Sequence, residues 1–158
     1  MSVVQRLFPR RIDNGFTGRR PALWLLGLFI ALKLVMSVNS ILATADVAAG
    51  ADGFRLETYG EDGAAAVLML FALGAVDQFV LALLGLAVLV RYRAMVPFVY
   101  LVLLADQIGR RVVIQAYDIA RAGENAAAVP YLVYGLLALL VAGFVLSLVG
   151  RPPGQAQT

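Results

Sequence analysis

Five ionisable side chains interrupt otherwise apolar runs of this sequence: Lys33, Asp77, Asp106, Arg110 and Arg111. Charges are costly inside hydrocarbon, and those found there pair with one another, line a wet cavity or serve a ligand or ion. Gln78 and Gln107 follow the two aspartates directly, so each carboxylate has an amide beside it. Two binding chemistries follow from the residue types. A carboxylate at mid-depth can carry a proton or a cation, and Lys33, Arg110 and Arg111 can hold an anion. A third use needs no ligand. Asp106 and Arg110 are four apart and can pair along one helix. Lys33 can pair across to Asp77, and Arg111 can snorkel outward, which leaves a self-neutral cluster that ties helices together.

Helical spacing groups further polar residues with these. Lys33, Ser37, Ser40 and Thr44 fall at i, i+4, i+7 and i+11, one face of a helix. Asp106, Arg110, Val113 and Tyr117 repeat that spacing, and Gln107, Arg111, Gln115 and Asp118 run alongside. The candidate ligand- or ion-binding set is therefore Lys33, Asp77, Gln78, Asp106, Gln107, Arg110 and Arg111. Ser37, Ser40, Thr44, Gln115 and Tyr117 form a supporting polar face. The two stripes are expected to face each other, with Asp77 and Gln78 between them, in a pocket open towards the outer half of the membrane.

The missing residue types exclude much chemistry. There is no Cys and no His, so thiol redox work, His-ligated metals and Ser-His or Cys-His triads are absent. No phosphate-binding glycine loop, zincin motif or acidic metal cluster occurs. The sequence implies no catalytic residue, metal or cofactor.

The elements that must position these side chains follow from composition. The 158 residues are 61% apolar and only 15% charged, with a mean hydropathy of +0.85. A soluble domain of this size could not hide so much apolar surface. Four stretches are long enough to cross a bilayer, about 22–45, 64–90, 94–117 and 129–149. The third is the most polar. The first starts too late and runs too long for a signal peptide, and Lys33 interrupts it. Expected, then, is an all-α integral membrane protein, an antiparallel four-transmembrane-helix up-down bundle. Counting from the turn near Tyr92, Asp77 and Asp106 lie at equal depth, roughly 20 Å away at 1.5 Å per residue.

Basic residues set the orientation. Arg6, Arg10, Arg11, Arg19, Arg20, Arg91, Arg93 and Arg151 fall on one side, against Arg55 and Arg121 on the other. The first group marks the cytoplasmic side, with both termini there. The 1–2 connection, with Asp46, Asp52, Glu57, Glu61 and Asp62, is expected as an exposed acidic loop with room for a short surface helix. Residues 1–20 form a basic arm with two open readings, an interfacial segment on the inner leaflet or a frayed tail that only sets topology. Residues 21–150 are the membrane domain, and 151–158 are expected to be disordered. Trp24, Tyr92, Tyr100, Tyr117 and Tyr131 fall near span ends, where amphipathic rings are favoured. Twelve Arg against one Lys, with abundant Ala, Gly, Leu and Val, points to a GC-rich bacterial genome and hence an inner-membrane location.

The fourth span carries rows of small residues, Gly135, Leu139, Gly143 and Ser147, beside Ala138 and Ala142. Such rows serve packing within the chain, or a homo-oligomer or larger membrane complex. The bilayer is the one partner the composition demands. The arginines sit in short connections, which argues against nucleic acid. The function classes that remain are a non-enzymatic assembly, regulatory or ligand-binding subunit, and an oligomeric ion- or proton-coupled small-solute transporter or channel. An intramembrane enzyme would have only carboxylates, Lys33 or tyrosines for acid-base work.

Overall fold

The computed structural model describes residues 3–9, 11–117 and 129–150. Among these residues the chain is helical and has no strand. The α-helices are α1 (Val3–Leu7), α2 (Arg20–Leu42), the single turn α3 (Thr44–Asp46), α4 (Glu61–Arg91), α5 (Val96–Ala116) and α6 (Val129–Leu148). Three of them, α2, α4 and α6 from Tyr131 onward, are long and apolar enough to cross a membrane. The helix in the place of the third expected span, α5, has 21 residues but carries three charges, Asp106, Arg110 and Arg111.

Local chemistry explains the ends. Pro21 and Pro97 occupy the first turns of α2 and α5, where a missing N–H costs nothing. Expected near 45, the end of α2 comes at Leu42. Thr44 Oγ1 donates to the Ser40 and Ile41 carbonyls, which competes with continuation of the helix. α4 begins at Glu61, with Glu61 and Asp62 in its first turn and Arg91 in its last, both favourable to the helix dipole.

α2 lies along α4 and α6, and α5 packs on α6 and more lightly on α4. Glycines let α2 and α4 approach closely. A Cβ at Gly85 would lie 3.1 Å from Ile30 Cδ1, and one at Gly27 would lie 3.4 Å from Leu89 Cδ2. Leu26, Phe29, Ile30, Ala82, Val96, Tyr100, Leu103, Leu136 and Leu140 form the buried core. The outward faces carry Leu28, Val35, Leu70, Leu73, Leu84 and Val145, as helices in contact with lipid require.

One end of the molecule is closed by the N-terminal arm. Arg6 Nη1 donates to the Leu148 carbonyl at 2.7 Å. The Arg19 N–H donates to the Leu146 carbonyl at 3.1 Å, and the Ala94 N–H to the Asp13 carbonyl at 3.2 Å. Gly18 and Gly150 form a bridge, and the Phe8 and Phe98 rings meet at 5.6 Å. The frayed-tail reading of this segment is therefore replaced by a docked arm. The opposite connection is folded too, rather than an open loop. It continues from α3 through a π-helical turn, Val47–Ala51, and a 3-10 turn, Leu56–Thr58. Ala48 is buried, and Phe54 meets Phe71 of α4 edge-on at 6.2 Å. Gly53 has φ 71°, a conformation open to glycine at little cost. The tail at 151–158, expected to be disordered, lies outside the described residues.

Candidate functional site

Asp106 stands at the middle of α5, and two side chains meet its carboxylate. Arg110 Nε donates to Oδ1 at 2.9 Å, the i,i+4 pair that the spacing predicts. Gln78 Nε2 of α4 donates to Oδ2, also at 2.9 Å. The second bond ties the midpoints of α4 and α5 at one level, in keeping with the count from the Tyr92 turn. Arg110 lies over Gly74 of α4, where a Cβ would sit 3.7 Å from Nη1. From α2 comes Lys33, whose Nζ is 5.8 Å from the centroid of the Phe29 ring. Asp106 and Arg110 are near enough to act on its charge. Among the described residues no carboxylate lies within ion-pair distance of Lys33. Three helices thus bring together Lys33, Gln78, Asp106 and Arg110, two cations around one carboxylate.

Asp77 is not part of this group. It is exposed on the outside of α4, among the exposed Leu73, Val76, Val80 and Leu84. The expected Lys33–Asp77 pair is not formed. Successive helical residues are turned by about 100°, and the inward row of α4 runs Gly74, Ala75, Gln78, Leu81, Ala82 and Gly85. Gln78 belongs to that row and Asp77 does not.

Gln107 and Arg111 form a second group on the flank of α5 that faces α6. The Arg111 guanidinium carbon lies 4.9 Å from the centroid of the Tyr134 ring. Gln107 Nε2, Arg111 Nε and Arg111 Nη2 are all buried and, among the described residues, have no hydrogen-bond partner. Arg111 is thus packed on α6 instead of snorkelling outward.

The supporting polar face is distributed differently from expectation. Ser37 Oγ donates to the Lys33 and Leu34 carbonyls of its own helix, and Thr44 does likewise further on. Ser40 is half-buried, while Gln115 and Tyr117 are exposed. α2 has α4 and α6 as its main neighbours, so its stripe comes near that of α5 only at Lys33. Asp118 lies outside the described residues. Nor is there a wide internal pocket. The cleft lined by Phe29, Ile30, Lys33, Gln78, Leu81, Ala82 and Leu103 is too narrow for a water molecule. An open depression of about 470 Å³ flanks Asp106 from outside, along Ala105, Gly109, Arg110, Val113 and Ile114. Among the described residues no group of acidic side chains could hold a metal.

Tyr100 was expected near a span end but is fully buried. Its hydroxyl donates to the Ala22 carbonyl of α2 at 2.6 Å. To reach it, the ring passes across Gly143 of α6, where any Cβ would overlap the phenol. The only sequence signal was its place in the row Tyr100, Leu103, Leu104 and Gln107.

Comparison with protein-family models, curated proteins and solved structures gives no match for this chain.

Proposed function

We propose that this protein is a non-enzymatic subunit of a membrane assembly, and that the outward face of α4 is where its partner docks. The observation that carries this reading is the exposure of Asp77 near the centre of a 31-residue apolar helix. A carboxylate there costs about 2.5–3.5 kcal/mol on insertion scales if it meets only lipid. A partner helix with Lys or Arg at the same depth offsets that cost. The apolar stripe of Leu70, Leu73, Val80 and Leu84 gives the partner a surface to pack on, and the charge fixes its register. A second copy seated on the same face by two-fold symmetry would bring two Asp77 carboxylates together, so a different chain is favoured.

The topology proposed with it is a four-helix up-down bundle in a bacterial inner membrane, with both termini cytoplasmic. The length of α5 supports this, since 21 residues span about 31 Å. So does its lipid-compatible side, Leu101, Ile108 and Val112. The arginine count places the docked arm on the cytoplasmic side.

The test is a photocrosslinking residue placed at Leu73 or Val80 of the full chain in its native membrane. The expected result is one adduct of defined mass whose spanning segment carries a Lys or Arg. Asp77→Asn abolishes the adduct and leaves thermal unfolding unchanged. An adduct with a second copy, or one that persists in Asp77→Asn, overturns the proposal. A second reading, coupled transport through Asp106, is favoured by the open depression beside that carboxylate. It requires flux in proteoliposomes that Asp106→Asn removes.

A further inference from the structure

We infer that the α5–α6 seam holds a phosphate group, bound by Arg111 and Gln107. This inference is independent of the assembly proposal, since it concerns the seam of α5 and α6 and not the outward face of α4. Three donors carry it: Arg111 Nε, Arg111 Nη2 and Gln107 Nε2, each buried and without a partner. Gln107 is only 8% exposed. A buried donor left unmade is expensive, and one on a cation more so. Three of them together mark a place shaped for something else.

The identity of the open atoms narrows the class. Nε and Nη2 form one edge of the guanidinium, the side-on fork whose two parallel N–H groups match two oxygens of a phosphate or carboxylate. Gln107 precedes Arg111 by four residues, so its amide lies one turn away on the same face. It supplies a donor for a third oxygen, which a tetrahedral phosphate has and a carboxylate lacks. The Tyr134 ring covers the guanidinium from α6 at 4.9 Å. This holds the plane of the guanidinium by a cation–π contact and leaves its buried edge without a partner among the described residues. Among the described residues no ion pair spends the Arg111 charge, and the one described carboxylate on α5, Asp106, is engaged by Arg110 and Gln78.

Depth agrees with this ligand. Arg111 lies five residues before the end of α5 at Ala116, about 7.5 Å along the axis. A phospholipid headgroup can reach that level beside an arginine, and so can a free phosphate entering from the aqueous side. The shared chemistry is the phosphate group, and the two sources are separable.

The experiment uses the full chain, delipidated in a maltoside detergent. Two probes are added separately, dioleoylphosphatidylglycerol and inorganic phosphate. Native mass spectrometry reads the adducts, and thermal unfolding reads the stabilisation. The variants are Arg111→Lys, which keeps the charge but loses the fork, and Gln107→Leu. Circular dichroism of each variant checks that helix content is retained. Expected is a one-to-one adduct with wild type that weakens about tenfold or more in Arg111→Lys and less in Gln107→Leu. Binding of the lipid alone assigns the site to a headgroup, and binding of phosphate with displacement of the lipid assigns it to the free anion. Equal binding by wild type and both variants overturns the inference, as does failure of wild type to bind either probe.

Discussion

Replacement of Gly143 by alanine should damage the molecule through Tyr100 and through little else. The phenol crosses α6 at Gly143, which has no Cβ, and donates to the Ala22 carbonyl at 2.6 Å. An added methyl overlaps the ring, and overpacking of this kind costs about 1–3 kcal/mol. Alanine also favours a helix over glycine by up to about 1 kcal/mol, so the net loss in the single variant is smaller than the clash. Tyr100→Phe removes only the hydrogen bond, worth about 0.6–1 kcal/mol in a membrane setting. The coupling is the informative quantity. In a Tyr100→Leu background the methyl occupies space that the ring has left, so Gly143→Ala becomes neutral or stabilising. The double-mutant cycle should therefore give about 1–3 kcal/mol of coupling. Reversible unfolding in mixed micelles, followed by circular dichroism, measures it. Additivity within about 0.5 kcal/mol would refute the threaded-tyrosine account.

Three further outcomes follow from the polar groups. Lys33→Met and Asp77→Asn should be additive within about 0.5 kcal/mol in the same assay, because the two side chains are not paired; strong coupling would restore the ion pair that the structure lacks. Asp106→Leu should cost about 1–3 kcal/mol, a discount on the 3–5 of a fully buried pair, since the carboxylate is 22% and the guanidinium 40% exposed. Arg110→Leu in that background should recover part of the loss, whereas Lys33→Met alone should be near neutral. Arg6→Ala should cost about 0.5–1.5 kcal/mol through the lost bond to the Leu148 carbonyl and should speed trypsin cleavage within the arm, read by mass spectrometry.

Helix positions were legible because length and apolar run decide them, although among the described residues three helices, not four, are long and apolar enough to cross a membrane; the Gln78–Asp106 bond agrees with a depth count made from the turn alone. Facing was not. α4 is apolar nearly all round, so no amphipathic stripe says which of two neighbours, Asp77 or Gln78, turns inward. The Asp106–Arg110 pair was readable because it is local to one helix. Tyr100, Gly143 and Ala22 come from three helices, and their meeting has no local signature. The same holds for the arm, whose contacts lie at residues 94–98 and 146–150. Its arginines read equally well as orientation signals, lipid contacts or helix caps.

The bond from Arg6 to Leu148 spans 142 positions of chain, and that separation has a consequence for biosynthesis. During translation residues 3–19 emerge well before α6, yet the carbonyls that receive Arg6 and Arg19 are made only when that helix is complete. Until then those donors have no docking surface on α6. The arm therefore stays unlatched from α6 until that helix has been made. Long-range closure of this kind is slow relative to helix formation. A chain cut short within α6 would keep its earlier helices but present an open, basic arm to whatever surveys unfinished proteins.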